Sequence, residues 1–319
     1  MYVRSVSVTA AVLLGLTCPA AIAPQGTFTP KAVLQRHAGA PDASSGKGRV
    51  TEPGPQARRS GQPTLYAHRG AVDVAPENTL AAVDAAARQG TRWVENDVQR
   101  TRDGELVIIH DTTLSRTTDA ERVFPGRSPW RVADFSAAEI ARLDAGSWFS
   151  ARFAGTRVPT LRQLLEQVAH HRQGLLLELK EPGLYPGIEQ DTLRALAKAG
   201  WLSEHRLRRR LVVQSFSADS VRTLHRELPD LTTAYLGTPA PDQIRGYAAF
   251  TDRINPSHTS ISAQYVAAVH TFKGPHGKPM EVHTWTVNTA EAARRVHAWG
   301  VDGIISNKPE LVRRALNDD

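Results

Sequence analysis

Three features of the sequence predict a mixed α/β chain closed into a (β/α)8 barrel of the TIM type, with a long connection after the second barrel strand. From Pro63 onward, short apolar runs alternate with helix-like segments, and eight of these runs count as barrel strands once a hairpin strand is set aside. The ~255 residues that follow the N-terminal leader match the size of such a barrel. The polar residues suited to chemistry fall at the C-terminal ends of the strand candidates, where barrels of this kind carry their active sites.

The elements follow in order. Residues 1–23 are expected to be a secretory signal, with Arg4 as its charge, an apolar core from Val6 to Leu16 too short to span a bilayer, and Ala21-Ile22-Ala23 as a cleavage site. The protein is therefore expected to be secreted. Cys18, the one cysteine, lies inside this segment; Gly15 stands where a lipid-anchoring signal would carry a larger aliphatic residue, so no anchor is expected. Residues 24–62, rich in Pro, Gly, Ser and Arg, read as a leader without ordered structure, and residues 63–319 as the folded domain. Thr64–Ala67 is a strand ending at His68, and Asn78 or Thr79 can cap a helix from Leu80 to Gln89 that Gly90 stops. Trp93–Val98 is the second strand, and Asp103-Gly104 turns the chain into a hairpin strand, Leu106–Ile109, ending at His110. Residues 112–160 show no regular alternation. A helix over Thr160–Ala169 leads to the apolar strand Leu175–Lys180. Strands then follow at Leu211–Phe216, Thr232–Leu236, Arg253–Pro256, Glu281–Val287 and Gly303–Ser306. Helices are expected at Ala218–Glu227, Pro241–Phe250, Ser262–His270, Ala290–Trp299 and Pro309–Leu316.

Charge narrows the function classes. The formal net charge is +7, but residues 1–62 hold seven Lys/Arg against two acids, so most of the excess precedes the domain. Neither nucleic-acid binding nor stable membrane insertion is implied, and no protein partner is. The run Arg208-Arg209-Arg210 reads as a solvated helix end.

The chemistry concentrates in the 46 residues from Tyr66 to Asp111. Glu95 and Asp97, two apart on a strand, leave the same face. Paired carboxylates repel unless a cation lies between them, and an all-oxygen set suits Mg²⁺ or Ca²⁺. Glu178, ending a later strand, can supply a third ligand. Lys180 shares its face and can neutralise a substrate oxygen. The alternative for Glu95 and Asp97 is a polar strand edge paired with arginines. His68 and His110 end two strands and can act as base and acid on one reaction. The other ten histidines are expected on helices and loops and carry no assigned role. Arg69 can hold a phosphate with its fork of donors. Together these residues describe metal-assisted phosphoester hydrolysis.

The strings HRG, APENT, ENDV, VIIHD, LELK, QSF, WTVN and GVDGIIS occur in that order, with LDAGSWF ahead of VPTL. This pattern, from about Leu65 to the C-terminus, resembles the glycerophosphodiester phosphodiesterase family. The resemblance implies a TIM-barrel enzyme with one divalent cation, Ca²⁺ or Mg²⁺, that cleaves small glycerophosphodiesters to glycerol 3-phosphate and an alcohol. Carried over motif by motif, it implies His68 and His110 as the acid/base pair and Glu95, Asp97 and Glu178 as metal ligands. Arg69 and Lys180 become phosphate-binding residues, Glu77 orients Arg69 or the metal site, and Gln214 and Trp285 contact substrate, with barrel packing the alternative for Trp285. Asn307, where the family pattern usually has an acid, receives no role. Open alternatives are phospholipase D-type cleavage of lysophospholipids, hydrolysis of glycerol-phosphate polymers, and a non-catalytic phosphoester-binding protein.

Overall fold

The computed structural model describes residues 61–317. The expected signal, Cys18 and nearly all of the expected leader lie outside the described residues. The order begins β1 (Thr64–His68), α1 (Leu80–Arg88), β2 (Trp93–Arg100), β3 (Leu106–Ile108), α2 (Ala120–Val123), α3 (Ala137–Ile140), α4 (Leu161–His170) and β4 (Gly174–Leu179). It continues with α5 (Ile188–Lys198), α6 (Glu204–Arg209), β5 (Leu211–Ser215), α7 (Ala218–Glu227), β6 (Thr233–Leu236) and α8 (Ile244–Tyr247). β7 (Arg253–Asn255), α9 (Ala263–His270), β8 (Glu281–Thr284), α10 (Ala290–Ala298), β9 (Gly303–Ser306) and α11 (Pro309–Asn317) complete it.

All strands but β3 are parallel to their neighbours and close on themselves, β1 pairing with β2 on one side and β9 on the other. This is the expected (β/α)8 barrel. The register puts every second residue inside: Tyr66, Leu176, Val212, Ala234 and Ile305 form the interior layer, with Trp93 and Trp285 against it. The alternate positions, such as Val94, Val98, Leu175, Leu177 and Val213, face outward and pack under the helices. One residue further along the inward parity, the strands reach the open end with polar side chains.

Helix starts follow local cap chemistry. Thr79 caps α1, accepting from the Ala82 N–H, while Thr160 and Gln163 form a reciprocal capping box on α4. Ser217, Ser262 and Thr289 cap α7, α9 and α10 in the same way.

The structure departs from expectation in four places. The segment Pro241–Phe250 is helical only over Ile244–Tyr247, because residues 240–243 close a turn through Gln243 N–H to Ala240 O (2.9 Å). The ladder of β8 ends at Thr284 rather than Val287, Trp285 keeping only an isolated bridge to Ser257. α5 and α6, absent from the expected list, fill the space between β4 and β5; Pro186, Gly187 and Gly200 around them break the apolar period. The end of α6 is the solvated arginine run. Finally, His283 is on strand β8, buried, rather than on a helix or loop.

The irregular connection after β2 carries its own small core. β3 pairs antiparallel with the end of β2 and buries both faces. Leu106 and Ile108 join the main core, whereas Val107 and Ile109 meet Leu114, Phe135, Ile140 and Leu143 of the connection.

Candidate active site

The strand ends deliver their polar residues to one place. Glu95, Asp97 and Glu178 are buried, and one carboxylate oxygen from each lies within 4.8 Å of the others. The cause is register: Asp97 is the lateral neighbour of Glu178, and Glu95 is the neighbour of His68. Above them a cavity of about 100 Å³ is lined by His68, Arg69, Glu95, His110, Glu178 and Lys180, with Gln214, Phe216 and Trp285 on the far wall. A larger cavity of about 660 Å³ opens at the opposite, N-terminal end of the strands and includes none of the candidate residues.

The loop after β1 is built for close approach. Arg69 takes a left-handed backbone (φ 56°), which turns its N–H onto Glu95 Oε2 at 3.0 Å. Gly70 follows at φ 86°, and a Cβ there would lie 2.5 Å from that of Ala82 on α1. Asn78 locks the same loop to β2. Its Nδ2 donates to Asp97 Oδ2 (2.8 Å), and its Oδ1 accepts from the Asp97 N–H (3.2 Å) and from Asn96 Nδ2 (3.0 Å).

The carboxylates are electrostatically crowded. Burial pushes Glu95 well above the usual carboxylate range, and the charges of Asp97 and Glu178 push the same way. Burial likewise raises Glu178, to about 8, with Asp97 adding and Lys180 opposing. Lys180 Nζ sits 2.8 Å from Glu178 Oε1. Burial alone would lower that lysine, but Glu178 and Asp97 raise it and keep it an ammonium. Asp97 Oδ1 is buried without a hydrogen-bond partner. Three hard oxygen donors, mutual repulsion and an orphaned buried acceptor are what a divalent cation satisfies, so the residues present fit Mg²⁺ or Ca²⁺.

The two histidines differ in their surroundings. His68 Nδ1 lies 2.6 Å from Asn307 Oδ1, and its Nε2 is 3.9 Å from Glu95 Oε2. Burial, followed by the charge of Arg69, lowers His68 to about 4, so the ring is neutral at physiological pH. His110 Nδ1 instead meets a carboxylate, Asp111 Oδ1, at 2.7 Å. Hydrogen bonds from Arg116 hold Asp111 well below the usual carboxylate range against burial, with His110 assisting.

Glu77 lies behind the cavity wall. It accepts from Arg69 Nη1 (2.8 Å) and from Arg116 through both oxygens (2.8 Å each). Burial opposes its charge, but the two arginines hold its pKa down. Arg69 also approaches Asp97 Oδ2 through Nε at 3.5 Å. Gln214 Nε2 is 3.4 Å from Glu95 Oε1, and its own oxygen accepts from Asn255 Nδ2 (2.8 Å). Trp285 donates to Asn255 O (2.8 Å) and meets the Phe216 ring edge-on at 5.7 Å.

Asn307, Asp111, Arg116 and Phe216 join the site without having been assigned a role from the sequence. Phe216 and Asn307 continue the inward parity of Gln214 and Ile305, a signal that alternation alone carries. Arg116 sits in an irregular loop, where no period points to it.

The sequence profile of the Glycerophosphoryl diester phosphodiesterase family matches residues 68–311. The chain is 34% identical over 256 residues to a glycerophosphodiester phosphodiesterase of Caldanaerobacter subterraneus subsp. tengcongensis, covering 78% of this chain and 95% of that one. It is 31% identical over 265 residues to a glycerophosphodiester phosphodiesterase of Bacillus subtilis, covering 78% and 84% of the two chains. Among solved structures, an Oleispira antarctica phosphodiesterase in complex with its product sn-glycerol-3-phosphate superposes with a TM-score of 0.66 at 28% identity, over 80% of this chain and 97% of that one. The glycerophosphodiester phosphodiesterase of Agrobacterium tumefaciens gives a TM-score of 0.63 at 27% identity, over 79% and 100%.

Proposed function

Because the chain belongs to the glycerophosphodiester phosphodiesterase family, we propose that it hydrolyses small glycerophosphodiesters to sn-glycerol 3-phosphate and an alcohol, using His68 and His110 as its acid/base pair and one Ca²⁺ or Mg²⁺ held by Glu95, Asp97 and Glu178. The observation that carries the proposal is the convergence of those three carboxylates within 4.8 Å beneath a cavity lined by both imidazoles. When bound, the cation supplies positive charge against the phosphoryl oxygens. Lys180 and Arg69 line the same wall and add fixed positive charge where anionic oxygens would lie. One imidazole takes the proton of the attacking oxygen as the other returns a proton to the leaving alcohol, which relieves charge on both oxygens. The product identity is supported by the Oleispira relative, whose complex contains sn-glycerol-3-phosphate.

Supplying glycerophosphocholine and assaying glycerol 3-phosphate, with and without chelator, tests the proposal. Release of glycerol 3-phosphate that EDTA abolishes and added Ca²⁺ or Mg²⁺ restores is the expected result. Release untouched by EDTA removes the cation from the scheme, and no release from glycerophosphocholine or lysolipid in either condition leaves a binding protein. A second reading, cleavage of lysophospholipids, is favoured by Phe216, which is 50% exposed at the cavity rim beside Trp285 and offers apolar surface to a larger leaving group. Activity on lysolipid with none on glycerophosphocholine would select it.

The export signal expected at residues 1–23 supports secretion. Mass spectrometry of protein recovered from culture medium, showing an N-terminus near residue 24, is the expected outcome; an intact Met1 in the medium fraction would oppose it.

A further inference from the structure

Resting on the reaction above, we propose that Arg116 is a positioning residue for His110. Its guanidinium, forked between Asp111 and Glu77, holds the Asp111 carboxylate where it accepts the Nδ1 proton of His110. Nε2 is then left to face the reacting oxygen.

The contacts form one chain of alternating charge. Arg116 Nε donates to Asp111 Oδ2 at 2.6 Å and Nη2 to Oδ1 at 2.9 Å, a two-pronged pair. The other side of the guanidinium makes a second two-pronged pair with Glu77. Glu77 then binds Arg69, which approaches Asp97. The chain thus ties His110, carried by the irregular connection, to the rigid end of β2.

Arg116 is not among the residues that line the cavity. It therefore acts on the site through the two carboxylates and not by touching substrate. Its side chain is 45% exposed, but the carboxylates it grips are not, at 12% for Glu77 and 28% for Asp111, and bidentate pairing fixes geometry as well as charge. Two forks on one guanidinium hold both carboxylates in fixed orientations. The neighbour whose geometry they define is the imidazole. A carboxylate one residue away could swing to solvent, but it has both oxygens occupied by Arg116 while Oδ1 keeps His110.

The charged groups around His110 set the direction of the test. They are Asp111 and Arg116 from its own connection, Glu77 from the loop before α1, His68 and Arg69 from the end of β1, Glu95 from β2, and Glu178 and Lys180 from the end of β4. Arg116→Ala removes one cation and leaves the Asp111 charge to His110 alone, which favours the imidazolium. Asp111→Asn removes the anion and favours the neutral ring. Those shifts follow from charge alone; the signature that a merely structural role would not produce is loss of the Nδ1–H tautomer of His110 in Arg116→Ala, read from its ¹⁵N shifts.

The experiment compares wild type, Arg116→Ala, Arg116→Lys and Asp111→Asn in saturating Ca²⁺ or Mg²⁺. Turnover of glycerophosphocholine is measured alongside a ¹H–¹⁵N NMR titration of His110 without substrate. In Arg116→Ala, kcat is expected to fall about 10–100-fold with KM within about threefold, and the His110 pKa to rise. It is expected to fall in Asp111→Asn. Lysine keeps the charge but not the fork, so Arg116→Lys should recover part of kcat. Three results overturn the proposal: Arg116→Ala turning over within twofold of wild type, a loss confined to KM, or a His110 titration that is unmoved or shifts the same way in both variants. Should Arg116→Ala fail to fold, Arg116→Lys and Asp111→Asn decide on the same criteria. A wild-type protein inactive on every phosphodiester would overturn the proposed reaction, while the NMR titration still decides the positioning of His110.

Discussion

Each histidine at the cavity has a different group behind it, and this governs what it can do. Asn307 presents its side-chain oxygen to His68 Nδ1, so the proton resides on Nδ1 and Nε2 is a bare acceptor toward the cavity. Asn307 is itself held by its backbone N–H to Asn288 Oδ1 at 2.9 Å. Replacing either His68 or His110 by Ala is expected to lower kcat about 10²–10⁴-fold while circular dichroism and melting stay close to wild type. Near-normal turnover would remove that ring from the mechanism. Asn307→Ala should cost a smaller factor, about 10–100-fold, because the ring remains but its tautomer is no longer held; steady-state kinetics distinguish the two cases. His68, Glu95, Asp97, Glu178 and Lys180 were legible in the sequence because strand alternation states which side chains share a face. The same alternation carries the facing of Asn307 but not its pairing with His68, which lies 239 positions away and is brought to it only by barrel closure.

At the scale of elements, the connection between β3 and α4 is ordered by one carboxylate. Asp144 accepts from the N–H groups of Gly146 and Ser147 (2.8 Å each) and Gly155 (2.7 Å), and from Ser147 Oγ (2.8 Å). Gly146 sits so close to the loop that a Cβ would meet Phe153 O at 2.0 Å. Burial works against the Asp144 charge, yet the N–H groups of Gly155, Ser147 and Gly146 hold its pKa well below the usual carboxylate range. A depressed folded-state pKa means that this stabilisation is present above the unfolded value near 4 and is lost as pH falls toward the folded one. Asp144→Asn is therefore expected to lose about 1–3 kcal/mol at pH 7, and the gap from wild type should narrow by pH 3. Urea unfolding at the two pH values checks this, and an equal gap at both would refute it. The LDAGSW string marked this segment, but its short helices were illegible. α2 and α3 are four residues each, too short for a helical period to declare itself, and each is anchored by one buried residue, Ala120 and Ile140, in the cluster that Leu114, Phe135 and Leu143 form with β3.

For the molecule as a whole, two inward-facing glycines decide how the barrel is filled. Gly174 is the register neighbour of Trp93 and Gly303 of His283, and an added Cβ would come within 2.5 Å and 2.2 Å of those rings. The rings pack with Tyr66 at centroid distances of 5.4 and 5.5 Å and plug the end opposite the active site. Gly174→Ala is expected to destabilise the protein by about 1–3 kcal/mol while kcat per folded molecule stays near wild type, since the crowding is remote from the carboxylates. Thermal melting together with active-site titration measures both, and an unchanged melting temperature would contradict the close approach. The strand count and the order of the strands were legible from period and punctuation, whereas α5 and α6 were not. The pairing of bulky rings with glycines across neighbouring strands was not, because it depends on a register that no single strand specifies.

The pairing of β1 with β9 bears on synthesis. The second neighbour of the opening strand is made last, so the cylinder cannot shut until residues 303–306 have left the ribosome. Until then β1 and β8 each present an unsatisfied margin, and a nascent chain arrested before β9 would be an open sheet with two adhesive borders, prone to stick to its own kind.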